Sequence, residues 1–157
     1  MTYEIIQYVL YGIAGGILLC TALSYDRLER AIIGGFSFAL FIAALLLVGV
    51  KIVTTGGIAD ILLQHGLGML ALPAILLIIG LLTKFRLVGL GSVKFGASVG
   101  LLLGLGTGLL ALGLWWMMIL IYLMATNWPK DSDAITKYRG VFWLLAVIAA
   151  FAMSTLL

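Results

Sequence analysis

The segment Gly96–Ala125, GASVGLLLGLGTGLLALGLWWMMILIYLMA, runs for thirty residues without a charge. A helix needs only about 20 apolar residues to cross a hydrocarbon layer of roughly 30 Å. No water-soluble fold of this size has room to bury such a run. Within it Gly96, Gly100, Gly104 and Gly108 recur at every fourth position, with Ser92 one step upstream. Four residues turn a helix by about 400°, so these glycines form a slowly drifting stripe along one face. A stripe without side chains is a groove into which another helix can press its backbone. The expected role of Gly96, Gly100, Gly104 and Gly108 is therefore close helix packing, within the chain or against another subunit. A flat groove for a cofactor ring, a carotenoid or a lipid tail is the sharper alternative.

Composition points the same way. Apolar residues make up 64% of the 157 and charged ones 10%, against about 45–50% and about 25% in soluble domains. The natural reading is one all-α domain: an integral membrane bundle of about five transmembrane helices with short loops. The expected spans are 3–23, 31–53, 58–82, 96–125 and 141–157. The first starts MTYEIIQ, with an acid and no basic leader, and its apolar run is too long for a cleavable signal. It is crowded with Tyr3, Tyr8 and Tyr11, which suit an interface. Pro73 falls mid-span in the third and predicts a kink there. At thirty residues the fourth span is expected to tilt or to project beyond the bilayer. Trp115 and Trp116 lie too deep in it for an interfacial belt and are expected either between helices or facing lipid.

Five spans would put Thr83–Lys94 and Thr126–Gly140 on opposite faces. Arg27, Arg30, Lys84, Arg86 and Lys94 then oppose Lys51, Lys130, Lys137 and Arg139. That is a weak positive-inside signal, favouring an N-terminus outside the cell membrane and a C-terminus in the cytoplasm. The net charge of +3 is spread over short connections. Without a basic block, nucleic-acid binding is not expected, and lipid headgroups are the natural ionic partners. The lone cysteine, Cys20, allows no disulfide or zinc site within one chain and reads as a small packing residue.

Polar residues inside the spans are the candidates for chemistry. His65 is the sole histidine, expected roughly 10 Å along the third helix from its start. It could ligate haem or chlorophyll, or hydrogen-bond a quinone; the plainer role is a hydrogen bond to a neighbouring helix. One histidine excludes a bis-histidine haem within the chain. Asp60 and Gln64 lie a turn away, and Lys51 ends the preceding span on the same side, so a Lys51–Asp60 ion pair is expected. The glycines at 104, 106 and 108 do not make a nucleotide loop: no Gly-x-Gly-x-x-Gly stands there and no strand precedes them. No nucleophile–base pair is readable, and no catalytic or metal-binding set is assigned. The expectation is a small structural or accessory subunit of a multisubunit membrane complex, of respiratory or photosynthetic electron-transfer type, whose partners are other membrane subunits and lipid. The rivals are a small homo-oligomeric transporter or channel, and a cofactor-binding subunit using His65.

Overall fold

The computed structural model describes residues 2–24, 30–85, 87–126 and 132–156, with side chains described throughout these except at 2–3, 21–24, 30–34 and 132–140. Among the described residues five helices follow one another: α1 (Thr2–Ser24), α2 (Arg30–Thr55), α3 (Ile58–Leu82), α4 (Leu90–Ala125) and α5 (Ser132–Leu156). The all-helical class is as expected. Three stretches, Gly35–Thr55, Ile58–Leu82 and Leu90–Ala125, are long and apolar enough to cross a membrane; Glu4–Cys20 and Val141–Leu156 are apolar but shorter. The fourth helix begins at Leu90 rather than at residue 96, and the fifth at Ser132 rather than at 141. Cys20 is exposed rather than packed inside.

In chain order the helices pack around α4. It touches α2, α3 and α5, most extensively α3, while α1 lies at the edge against α2 and α5. The centre of the bundle is formed by Leu72 and Leu76 of α3, Val99, Ala111 and Trp115 of α4, and Ala146 of α5, all fully buried. Many outward positions are large and apolar, such as Leu70, Ile78 and Ile121. In water this would be a liability, whereas in lipid it is the ordinary exterior of a membrane bundle.

The turn between α3 and α4 is closed by backbone hydrogen bonds. Phe85 N–H donates to the Gly80 carbonyl (2.6 Å) and Lys84 N–H to that of Leu81 (3.1 Å). Lys84 and Phe85 are both left-handed, at φ +50° and +57°. This is a Schellman closure, in which the paired carbonyls are those the helix end would leave orphaned. Its usual hydrophobic contact is made by the Phe85 ring on Gly80, where a Cβ would stand 2.8 Å from the ring.

The backbone departs from expectation most at Gly104. α3 carries Pro73 and continues as one helix to Leu82. α4, without a proline, is interrupted at Gly104, whose φ of +77° and ψ of 179° are far from helical. Order along α3 shows what the interruption does. The first arm, 90–103, is met in descending order: Gly96 against Leu76, Gly100 against Gly68, Leu101 against His65. The second arm, 105–125, is met in ascending order: Leu105 against Gly68, then Gly108 against Leu72. The chain has reversed direction. Two further contacts agree. A Cβ on Gly108 would lie 3.7 Å from the Gly100 Cα, though eight residues span about 12 Å in a straight helix. The rings of Phe95 and Trp115 both rest on Trp143, at 5.6 and 4.8 Å between centroids, though twenty residues span about 30 Å. The expected single tilted helix is thus a helical hairpin with its apex at Gly104.

Candidate intramembrane site at the Gly104 reversal

A helix broken inside a bundle leaves backbone groups without partners. The last carbonyls of the first arm lose the amides one turn ahead, and in hydrocarbon each must find another donor. His65 supplies one. Its Nδ1 donates to the Leu101 carbonyl oxygen at 2.7 Å, and the side chain is 5% exposed. A carbonyl can only accept, so Nδ1 carries the proton and Nε2 is left as an acceptor. Facing Nε2 at 3.4 Å is the ammonium of Lys51, from the end of α2. Lys51, His65 and the Leu101 carbonyl thus form one chain of polar groups beside the apex.

Glycine makes the approach possible. A Cβ on Gly68 would stand 2.5 Å from the Gly100 carbonyl oxygen and 2.8 Å from the Gly104 carbonyl carbon. A Cβ on Gly100 would fall on the backbone of Gly68. Neither backbone can yield locally, so the two helices touch main chain to main chain. Gly104 differs: its Cβ would meet the His65 ring at 3.7 Å and the Gln64 carbonyl carbon at 3.9 Å, both ordinary contacts. What Gly104 supplies is a backbone conformation essentially closed to other residues.

The positions singled out from sequence are distributed as follows. Gly100, Gly104 and Gly108 gather at the apex with His65, and Gly96 sits higher on the first arm, where its Cβ would meet the Leu76 side chain at 2.5 Å. Ser92 is buried. The expected ion pair does not form: Lys51 is turned to His65, Asp60 is exposed, and no Lys51–Asp60 bridge exists among the described residues. Both His65 ring nitrogens have protein partners, which leaves neither directed at a haem, chlorophyll or quinone. No group of three or more potential metal ligands occurs among the described residues.

Sequence reasoning missed Gly68, which is the true counterpart of the ladder. It also missed a polar junction further up the first arm. There the Ser98 hydroxyl donates to the Ser37 carbonyl at 2.8 Å, tying α4 to α2. Beside it Ser37, Phe38, Phe41, Lys94, Ala97 and Ser98 line a shallow open groove. Comparison with protein-family models, with curated proteins and with solved structures finds no match.

Proposed function

We propose that the chain is a structural subunit of a larger membrane assembly, joined to its neighbours through α1. The supporting observation is the outer face of α1. Gly12 and Gly16 are one turn apart, both are exposed, and a Cβ on either would meet nothing within 4 Å among the described residues. Gly-x-x-x-Gly in an apolar helix favours close approach of a second helix. The four-step glycines of α4 are consumed inside the bundle, whereas those of α1 are not. An electron-transfer setting draws no support from His65, whose nitrogens are engaged in holding the helix break.

The test is the mass of the purified particle in mild detergent, with and without Gly12→Ile and Gly16→Ile. The reading expects a particle larger than one chain, reduced to the single chain by either substitution while helical content is unchanged. A particle of one chain in native membranes, unaffected by either change, would defeat it.

A transport role as a homo-oligomer is the second reading, and the Gly104 reversal favours it. Interrupted helices within membranes are tolerated where they are buried in protein or line a pathway, and they mark many substrate sites. The cationic Lys51 near the apex would suit an anion better than a cation. Flux of small anions into vesicles, lost in Lys51→Gln, would favour this reading.

A further inference from the structure

We infer that α4 is a re-entrant hairpin, entering and leaving the bilayer on one face, and that this gathers the chain's cations onto a single surface that rests on an anionic lipid leaflet. The argument begins with direction. α3 runs from the Gly56–Gly57 turn to the Thr83–Gly89 turn. The first arm of α4 returns alongside it from that second turn as far as His65, and the second arm then runs parallel to α3 again. Ala125 therefore emerges on the face from which Leu90 entered. The α2 end agrees: Ser98, in the first arm, meets Ser37 in the first half of α2, whereas Lys51 at the far end of α2 meets His65 near the apex.

Three connections now share one face: those after α1, after α3 and after α4. In sequence, the first contains Arg27 and is followed by Arg30. The second brings Lys84 and Arg86, with Lys94 just inside the first arm. The third, with the start of α5, brings Lys130, Lys137 and Arg139. Of the nine lysines and arginines only Lys51 remains for the opposite face. With α4 crossing once, the same residues divide five to four and give only a weak orientation. With α4 re-entrant they divide eight to one, a strong asymmetry of the kind that fixes insertion, cations toward the cytoplasm. The geometry of the reversal and the charge pattern are independent observations, and they agree. The basic face would lie against the negatively charged headgroups of the cytoplasmic leaflet. α1 begins and α5 ends on the other face.

The experiment uses the full chain with Cys20→Ser and one new cysteine at a time: Lys84→Cys, Ser132→Cys or Thr55→Cys. A membrane-impermeant maleimide is applied to sealed inside-out and right-side-out vesicles. Positions 84 and 132 should both label at least tenfold more in inside-out vesicles, and position 55 should show the reverse. Labelling of 84 and 132 from opposite faces would overturn the hairpin. Both labelling in right-side-out vesicles would overturn the charge assignment. Should a cysteine variant fail to insert, a reporter active only outside the cytoplasm, fused after Leu157, reads the same topology without internal change: activity is expected, and inactivity overturns the proposal. In nanodiscs, replacing phosphatidylcholine by phosphatidylglycerol should raise the Tm by several degrees, an effect lost at high salt; an unchanged Tm would overturn the lipid contact.

Discussion

The two ends of the α4 hairpin are held by opposite means. At the apex, Gly68, Gly100 and Gly104 bring backbones together with nothing between them. At the base, Phe95, Trp115 and Trp143 fill the space between the arms and α5 with three large rings, the two indoles stacked at 23° and the phenyl meeting Trp143 at 68°. A hairpin that is closed at its tip and open at its base is a wedge. Small residues at one end and large ones at the other are what its taper requires. The comparison separates two ways of being indispensable. At Gly68 and Gly100 an added atom is intolerable, and at the base a missing one leaves a void. Membrane helices gain little from leaving lipid, so dispersion and hydrogen bonding decide both cases.

The largest effect should come from adding bulk at the apex. Gly100→Ile places a branched side chain on the Gly68 main chain, and the expected loss is about 3 kcal/mol or more, beyond ordinary overpacking. Unfolding in mild detergent with rising dodecyl sulfate measures it. Leu109→Ile is the proper control, since Leu109 is 41% exposed, whereas Leu102 is buried at 7% and would not serve. Equal stability of the Gly100 and Leu109 variants would mean that the apex is not a backbone contact.

Next in size is His65→Leu. It leaves the Leu101 carbonyl without its donor and Lys51 without its acceptor. A buried polar group without a partner costs about 1–3 kcal/mol, so a loss of roughly 2 kcal/mol is expected in the same titration. The absorption spectrum of the purified protein should not change. A lost visible band would instead make His65 a pigment or haem ligand and remove it from the account of the helix break.

Much of this architecture was legible in the sequence, and the reason for the remainder is physical. Runs of apolar residues between charged segments locate α2 and α3 closely, because the ends of a span are fixed by where charge can reach water. The four-step glycines identify a close contact. They do not identify its partner, because Gly68 stands in α3 without a repeat of its own. Nor do they reveal the reversal. An apolar helix in lipid carries no polar face whose phase would shift where the chain turns, and both arms read as one continuous run. One signal was available: the uncharged run of thirty residues from Gly96 to Ala125, about 45 Å of straight helix for a layer of roughly 30 Å. Tilt is one answer to such an excess and folding back is another. The cation count chooses between them only once the reversal is considered. His65 was recognised as a polar residue needing a partner, but the Leu101 carbonyl became a partner only because the helix breaks beside it.

Gly104→Ala tests the other kind of glycine. There is room for the methyl group, 3.7 Å from the nearest atoms of His65. The conformation is the obstacle, because φ +77° with ψ 179° is nearly closed to a residue bearing a Cβ. A loss of about 1–3 kcal/mol is expected, and, unlike at Gly100, enlarging the side chain further to Ser should add little. A steep dependence on side-chain size at position 104 would assign both glycines to the same steric cause. At the base, Trp143→Phe should cost about 1 kcal/mol. It shortens the stack on Trp115 but also removes an indole N–H that has no partner among the described residues, and that gain offsets part of the loss.

The smallest effect sharpens the contrast by using the same residue type once more. Gly106 lies just past the apex on the second arm, within the helical stretch, exposed, with no atom of the described residues inside 4 Å of where its Cβ would be. It satisfies neither condition that makes Gly100 and Gly104 necessary. Its φ is not among the positive values in the chain, and no backbone faces it. In a helix, glycine is about 0.8–1.0 kcal/mol less favourable than alanine, because it loses more backbone freedom on folding. Gly106→Ala should therefore stabilise the protein, by about 0.5 kcal/mol once a lipid environment that already favours helices is allowed for. The measurement is the midpoint of the same unfolding titration, with Gly113→Ala beside it, since Gly113 is also exposed and open. A gain at both positions would confine the glycine requirement to the apex. A loss at Gly106 alone would mean that another helix approaches the second arm there in the assembled protein, and the seam assigned to α1 would have a competitor.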